Sequence, residues 1–369
     1  MVGEFLKGEK NPKIIGVGES ETKGMRHGYV VDIASCIESL KHAIALAEKS
    51  SGVRIRRAFV SMGGVTLRGD ISSGIGIITK ADGEVTNLDI SKALEDCENN
   101  LNLNNKKIIK VFPTSFKLDG KEILGRPEGM RGTKLEVKSI FVTCSLSHFE
   151  DLVEVITLSG IEPIDVVAAP LAGSYMAMSQ KQKIVGGALV NIGSETTSLA
   201  IFENGVLVSL HSFSIGGNDI TNDIALGLKI SLEEAEKFKL GNMDERFSKK
   251  KLEEIIEARV LDIFELIENH LKKIKRNELL PAGVIFVGGS ANISSLLEYS
   301  KSALKLPSSV GATEMFGNIK TKLRNPEWFT TLGLITPSDD DNYYHQDSFK
   351  NFFQNLKSMI KSNIKQLMP

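Results

Sequence analysis

Residues 186–202 read Gly186-Gly187-Ala188-Leu189-Val190-Asn191-Ile192-Gly193-Ser194-Glu195-Thr196-Thr197-Ser198-Leu199-Ala200-Ile201-Phe202. Two apolar runs flank a short polar segment, which predicts a strand, a tight turn and a second strand. A glycine lets the backbone approach a ligand closely, and consecutive N–H groups of a turn form a concave site for an anion. The hydroxyls of Thr196 and Thr197 add donors, so the turn is a candidate phosphate-binding loop. A plain β-hairpin with a hydroxyl-rich turn fits the same residues equally well.

Composition narrows the class of protein. The chain has 369 residues, 41% of them hydrophobic and 25% charged, which suits a globular protein of two domains. A formal net charge of −1 gives no overall field that would attract nucleic acid, so no nucleic-acid partner is expected. The three cysteines, Cys36, Cys97 and Cys144, show no metal-ligand spacing and are predicted to be reduced core thiols of a cytoplasmic protein. The scattered histidines give no support to hydrolase or metalloenzyme chemistry.

A second site-like element lies downstream. Residues 284–291 read Val284-Ile285-Phe286-Val287-Gly288-Gly289-Ser290-Ala291, an apolar strand that runs into a diglycine and a hydroxyl residue. Glycines at the end of a strand allow a ribose or a flat ring to approach the backbone. An ordinary turn between a strand and a helix is the alternative. The two elements in this order are more specific than either one alone.

The segments around these elements predict the domain organisation. Residues 88–101 and 147–158 have helical periodicity and residues 107–118 and 134–144 have strand character, which predicts a compact insertion with its own core. Residues 166–178 are predicted to form a helix. Ser231-Leu232-Glu233-Glu234 is a capping box, and apolar residues from Leu252 to Ile274 mark a long amphipathic helix.

The C-terminal end has a separate character. An acidic segment, Asp339-Asp340-Asp341, indicates a linker, and no acidic residue occurs after Asp347. The residues beyond it form an apolar stripe with lysines away from it: Phe349, Phe352, Phe353, Leu356, Met359, Ile360, Ile364 and Leu367, with Lys350, Lys357, Lys361 and Lys365. A helix with these two faces suits an anionic membrane surface. Docking on its own domain or on a partner protein is the alternative.

Several stretches together resemble the FtsA family of bacterial cell-division proteins, in the actin, Hsp70 and sugar-kinase ATPase superfamily. The resemblance covers nearly the whole chain. The turn at residues 191–197 looks like the second phosphate loop of that superfamily. The stretches similar to the family itself are residues 14–20 with 24 and 28–32, residues 129–136 from its inserted subdomain, residues 216–225, residues 233–239, and the terminal helix.

The resemblance implies an α/β, actin-like, two-lobed ATPase fold with an inserted α+β subdomain and a C-terminal amphipathic helix. The implied units are residues 1–84 with 161–185 (first lobe), 85–160 (insertion), 186–335 (second lobe, helical at about 224–280), 336–347 (linker) and 348–369 (membrane helix). The implied ligands are ATP and Mg²⁺. The implied nucleotide-binding residues are Asn191, Gly193, Ser194, Thr196, Thr197, Gly216, Gly217, Glu236, Lys239, Gly288, Gly289 and Ser290.

Each group of residues has an expected role. Ser194, Thr196 and Thr197 would meet phosphate, and Gly216 and Gly217 would line the cleft. Glu236 and Lys239 would lie near the ribose and base, although a solvated pair on one helix fits them as well. Residues 288–290 would lie near the adenine, and Asn191 would hold Mg²⁺ weakly, through water.

The implied function is a peripheral protein on the cytoplasmic face of the inner membrane at the division septum. It would tether FtsZ filaments by binding the FtsZ C-terminal peptide, recruit late divisome proteins, and assemble with further copies of itself into actin-like filaments. A catalytically active ATPase or kinase of this fold and a pilus-assembly actin homologue are the alternatives.

Two departures from the family pattern bear on activity. The family's opening strand and first phosphate loop are absent before Met1, so either the true start lies upstream of Met1, which is the favoured expectation, or this copy is degraded. Asn191 stands where actin-fold ATPases place an aspartate, and the amide lacks the charge that helps to hold Mg²⁺. At most weak ATP hydrolysis is therefore expected.

Overall fold

The computed structural model describes residues 1–7, 11–242, 244, 247–312 and 321–336. The predicted membrane helix, residues 348–369, and the predicted linker after residue 336 lie outside the described residues. No helix in the described part of the chain is long and apolar enough to span a bilayer.

The described residues form fifteen strands and ten α-helices. The strands are β1 Val2–Glu4, β2 Lys13–Gly16, β3 Met25–Arg26, β4 Tyr29–Val30, β5 Arg57–Met62, β6 Arg68–Ile77, β7 Lys106–Leu118, β8 Lys121–Ile123, β9 Lys134–Ser145, β10 Glu162–Ala168, β11 Gly187–Ile192, β12 Thr197–Glu203, β13 Val206–Phe213, β14 Gly283–Val287 and β15 Ser308–Val310. The helices are α1 Ile33–Ser51, α2 Asn87–Asn99, α3 Leu146–Leu158, α4 Ala169–Ala177, α5 Gln180–Val185, α6 Gly217–Leu228, α7 Leu232–Lys239, α8 Lys249–Lys273, α9 Leu296–Leu304 and α10 Phe329–Ile335.

The second lobe is built on a five-stranded sheet in the order β13-β12-β11-β14-β15. The antiparallel part arises because Asn204 and Gly205 both have positive φ angles, +53° and +78°, which close a tight hairpin between β12 and β13. β14 pairs in parallel with β11, so the ends of these two strands meet at the same edge. Apolar residues of α6, α7 and α8 pack with the sheet in one core, including the fully buried Phe264 and Phe286. The long predicted amphipathic helix is thus confirmed as α8.

The first lobe contains a parallel pair, β5 with β10, and the β1–β2 hairpin. The prediction of a single helix over residues 166–178 was wrong in its first part. Residues 162–168 pair with β5 as β10, and the helix begins only at Ala169. Pro170 lies in the first turn of α4, where a missing N–H costs no helical hydrogen bond. It therefore marks the start of the helix.

The inserted unit is a four-stranded antiparallel sheet in the order β6-β9-β7-β8, with α2 on one face. Its limits differ from the predicted 85–160. β6 belongs to this sheet because it pairs with β9 along its length. Gly74 and Gly76 of β6 allow α2 to pack closely on the strand, since a Cβ at Gly76 would lie 2.7 Å from the Asp89 carbonyl oxygen. At the other end, Phe149 of α3 packs into the core of the first lobe together with Val166 and Leu171.

Helices α4 and α10 cross beside the cleft between the lobes. A Cβ at Gly333 would collide with the backbone of Ala172, so only glycine permits this approach. The crossing positions α10, and with it Thr330, against the end of β11.

Candidate functional site

The turn between β11 and β12 has the tight geometry that the sequence predicts. The N–H of Gly193 donates to the carbonyl of Thr196 over 2.9 Å. Thr197 is fully buried, and its Oγ1 donates to the carbonyl of Ile215 over 2.9 Å. This hydroxyl therefore holds the segment after β13 against the turn, instead of pointing into the cleft as a phosphate donor.

The diglycine at the start of α6 lies directly on this turn. The N–H of Gly217 donates to the Gly193 carbonyl over 2.8 Å, and that of Asn218 donates to the Ser194 carbonyl over 2.6 Å. A Cβ at Gly216 would lie 2.7 Å from the Gly193 oxygen. Only glycine allows two backbones to come so close, and the N-terminus of α6, with its partial positive charge, is thereby held at the turn.

The second diglycine meets the same turn. Gly288 has a φ of +89°, and a Cβ there would collide with the Asn191 side-chain oxygen. A Cβ at Gly217 would lie 2.7 Å from the Ser290 hydroxyl. A Cβ at Gly289, in contrast, would meet nothing within 4 Å, so this glycine borders open space. Segments about 95 positions apart in the sequence thus meet at one place, as expected.

Glu236 and Lys239 contact α6 and are not a free pair on a solvated helix. The Lys239 ammonium lies 2.6 Å from Glu236 Oε2 and donates to the Gly217 carbonyl over 3.0 Å and to Thr221 Oγ1 over 2.8 Å. Burial alone would raise the pKa of Glu236. Hydrogen bonds from Lys239 and Thr221 and the ammonium charge outweigh it, so the pKa lies below its usual value. The pair therefore links α7 to the start of α6.

Asn191 lies at the end of β11 and contacts α10. Its Nδ2 donates to Thr330 Oγ1 over 3.4 Å, which connects the central sheet to the helix at the lobe crossing. Within the described ranges, no group of three or more His, Cys, Asp or Glu side chains is placed to hold a metal ion. The neutral amide of Asn191 offers an oxygen to a cation but no negative charge.

The first lobe supplies a site residue that the sequence did not predict. His27, at the tip of the β3–β4 hairpin, donates its backbone N–H to Glu195 Oε2 over 2.5 Å. Its ring Nδ1 lies 3.2 Å from the Glu195 carbonyl and 3.3 Å from Ser214 Oγ. His27 and Gly28 both have positive φ angles, which is the local signal of a tight turn. Nothing in that signal indicates a contact with Glu195.

Two family models match the chain. One, described as "Cell division protein FtsA", matches residues 188–333, which hold the turn and both diglycines. The other, described as "SHS2 domain inserted in FTSA", matches residues 64–143, close to the limits of the inserted sheet.

Solved structures with a similar fold include the PilM–PilN type IV pilus biogenesis complex and the ethanolamine utilization protein EutJ from Carboxydothermus hydrogenoformans. The first has a TM-score of 0.65 at 16% identity and covers 88% of this chain and 91% of that one. The second has a TM-score of 0.50 at 17% identity and covers 85% of this chain and 78% of the EutJ chain. At such identities the likeness concerns the fold alone, and it confirms the predicted actin-like class.

Curated relatives cover most of the chain. A Pseudomonas aeruginosa cell division protein FtsA is 28% identical over 357 residues, which are 91% of this chain and 85% of the relative. Its Bacillus subtilis counterpart is 30% identical over 357 residues, 91% of this chain and 79% of the relative. With this identity over most of both chains, and with the inserted unit in place, this chain belongs to the FtsA family of cell-division proteins.

Proposed function

We propose that this chain is an actin-like, ATP-binding adaptor of cell division that tethers FtsZ filaments to the inner membrane at the septum. One observation carries the nucleotide part of the proposal. Four glycines from three separate segments, Gly193, Gly216, Gly217 and Gly288, converge as a cradle at the turn after β11, and a Cβ at Gly216, Gly217 or Gly288 would lie under 3.0 Å from an atom of a neighbouring segment. Because the N–H groups of Gly217 and Asn218 donate to carbonyls of the turn, a phosphate chain would be bound by other backbone N–H groups of the turn, without the bulk of side chains.

The residues present fit a nucleotide. The phosphates would lie against the turn after β11 and the N-terminus of α6, and the base would lie over Gly289, which borders open space. ATP would supply a hydrolysable phosphoanhydride. Mg²⁺ would be held by the phosphates and by water bound to Asn191, whose neutral amide adds no charge. We therefore expect nucleotide binding with slow turnover.

A surface on the helical part of the second lobe suits the FtsZ C-terminal peptide. Between α6 and α8 lies an open hollow of about 400 Å³, lined by Asp223, Leu226, Lys251, Glu254, Ile255 and Ala258. Leu226 is 77% exposed there, so its side chain is accessible to an apolar residue of a partner. A short peptide that places an apolar side chain on Leu226 and charges on the rim fits this hollow.

Family membership supports the cellular setting of the proposal. A peripheral position on the cytoplasmic face of the membrane would depend on residues 348–369, and late divisome proteins and further copies of the chain would be its other partners. The alternatives have less support. A kinase or fast ATPase needs a carboxylate at the nucleophile, whereas the carboxylate of the turn, Glu195, accepts the His27 N–H. The likeness to a pilus protein concerns the fold alone.

Vesicle co-sedimentation tests the adaptor function directly. The full chain should pellet with anionic vesicles and carry a labelled FtsZ C-terminal peptide with it. Phe352→Asp with Phe353→Asp should abolish pelleting, while Leu226→Asp should abolish only peptide capture. Pelleting that persists in the Phe352/Phe353 variant, or peptide capture that persists in Leu226→Asp, would contradict the corresponding part of the proposal.

A further inference from the structure

A cationic patch lies on the first lobe, far in sequence from the nucleotide cradle. α1 ends at Ser51 and β5 begins at Arg57, and the connection between them carries two further arginines, Arg54 and Arg56. All three arginines are exposed, and Val53 beside them is 48% exposed. We call residues 53–57 the basic patch.

The arginines of the basic patch are available to a partner. Across the described part of the chain, none of the three forms an ion pair, whereas Arg68, Arg259 and Arg276 each do. Three acidic side chains lie near the patch, namely Glu48, Glu162 and Asp165, and Oε1 of Glu48 accepts the N–H of Ile55 over 2.7 Å. They are outnumbered by the three arginines together with Lys49 and Lys110, which line the same clefts. The patch therefore presents an excess of positive charge to the solvent.

The patch lies beside the end of α10. A cleft of about 600 Å³ is lined both by Arg54, Arg56 and Arg57 and by Ile335 and Thr336 at the end of α10. Thr336 is the last residue that the structure describes, and the acidic segment begins at Asp339 in the sequence. The basic patch therefore borders the same cleft as the residue that precedes the terminal segment in the sequence.

The basic patch is remote from the nucleotide cradle. β5 begins at Arg57 and runs toward Gly64, which packs against Gly28 beside His27. Six residues of extended strand span about 20 Å, so the patch and the phosphate turn lie toward opposite ends of β5. A flat surface against the patch would leave the cleft open.

We propose that the basic patch is a second contact with an anionic bilayer, acting beside the terminal helix; the proposal rests on the membrane tethering proposed above. A single weak anchor binds reversibly, and stable attachment takes a second signal such as a cluster of basic residues. Each basic residue near an anionic surface contributes on the order of fivefold in partitioning. Exposed Val53 and Phe59, the latter 44% exposed, suit the interfacial region of the bilayer.

The test uses the full chain and vesicles of phosphatidylcholine with phosphatidylglycerol in equal parts. Arg54→Gln, Arg56→Gln and Arg57→Gln together should lower the partition coefficient roughly tenfold or more and flatten its salt dependence. The charge-conserving Arg→Lys triple variant should restore binding. The matched control carries Lys117→Gln, Lys121→Gln and Lys138→Gln at three exposed positions of the inserted sheet. Its partition coefficient should stay within about twofold of the wild-type value.

Combination with the tail variant separates this proposal from the previous one. If the terminal helix does not bind membranes, Phe352→Asp with Phe353→Asp changes nothing, yet the arginine variant still lowers whatever binding exists. Equal partitioning of the Arg→Gln triple variant and the wild type, with unchanged thermal unfolding, would overturn the patch proposal. Unchanged partitioning together with lost binding of soluble polyglutamate would assign the patch to an acidic protein, which also overturns it.

Discussion

The backbone N–H of His27 donates to the carboxylate of Glu195 over 2.5 Å, across 168 positions of sequence. His27 lies at the tip of a first-lobe hairpin, and Glu195 lies in the second-lobe turn on which the two diglycines converge. The same hairpin tip touches the start of α3, since His148 Nε2 bonds the carbonyl of Gly28. One short hairpin thus contacts the candidate phosphate turn on one side and the helix after the inserted sheet on the other.

Replacement of Glu195 tests whether this contact holds the lobes together. Glu195→Ala leaves the His27 N–H without its acceptor, and a hydrogen bond to a charged group contributes about 1.5–3 kcal/mol. Because Glu195 is only half-buried, water will replace part of the lost hydrogen bond. We therefore expect the free energy of unfolding, measured in urea, to fall by about 1.5 kcal/mol, the lower end of this range. Glu195→Gln keeps an acceptor and should lose less. Equal stability of both variants and the wild type would show that the contact is dispensable.

Gly217→Ala tests the glycine cradle. The added Cβ would lie 2.7 Å from Ser290 Oγ, so the start of α6 must shift away from the turn. Strain of this kind costs about 1–3 kcal/mol. We expect lower thermal stability of the ligand-free protein and roughly tenfold or more weaker ATP binding by calorimetry.

Gly289→Ala is the matched control, because its Cβ meets nothing within 4 Å. It should leave the stability of the ligand-free protein unchanged. Equal ATP affinity of Gly217→Ala and the wild type would place the nucleotide elsewhere.

The parts of the site that sequence predicts are those with a local signal. Gly193 and Gly288 stand out because a glycine directly after an apolar strand indicates a tight turn or a close approach of two backbones, and Gly216-Gly217 stands out as a diglycine shortly after β13. Thr330 has no such signal, since its contact with Asn191 joins positions 139 residues apart and depends on how α10 crosses α4.

The misplaced elements of the fold likewise depend on contacts that are distant in sequence. Residues 162–168 lack a helix period, but their pairing with β5 becomes visible only in three dimensions. The predicted start of the insertion, residue 85, leaves out β6, because the pairing of β6 with β9 joins positions distant in sequence, and Gly74 and Gly76 make room there for α2.

His270 makes stability depend on pH. Its pKa is lowered to about 4, first by burial and then by the nearby positive charges of His211 and Lys273. The His211 ring stacks on it with centroids 4.8 Å apart, and the pKa of His211 is also lowered by burial and by Lys273 and Arg68. In the unfolded chain His270 binds a proton near its ordinary pKa of 6.5, whereas in the folded chain it does so only near pH 4. The contribution of His270 to the free energy of unfolding is therefore fully present above pH 6.5 and is lost as the pH falls toward 4.

Urea unfolding at pH 7 and pH 5 measures this dependence. The wild type should lose more stability between the two pH values than His270→Gln, which lacks one of the three histidines with a lowered pKa, His148, His211 and His270. His42→Gln, at an exposed position, is the control and should follow the wild type. Parallel pH profiles of all three proteins would contradict a role for His270.

Asn191→Asp tests whether the neutral amide limits the use of Mg²⁺. Thr330 Oγ1 now accepts from the Asn191 amide over 3.4 Å, and in the variant the Thr330 hydroxyl would donate to the carboxylate instead. The carboxylate would also add the negative charge that a hard cation prefers. We expect ATP to bind Asn191→Asp severalfold more tightly with Mg²⁺ than with EDTA, by a larger ratio than in the wild type, and any ATP turnover to rise.

Asn191→Ala separates the charge from the contact with α10, since it removes the Thr330 partner without adding a charge. It should lower stability and leave the ratio of ATP affinity with Mg²⁺ to ATP affinity with EDTA at the wild-type value. If the ratio is the same in Asn191→Asp and Asn191→Ala, position 191 does not reach the metal through water. The cation would then be held by the phosphates and by groups outside this turn.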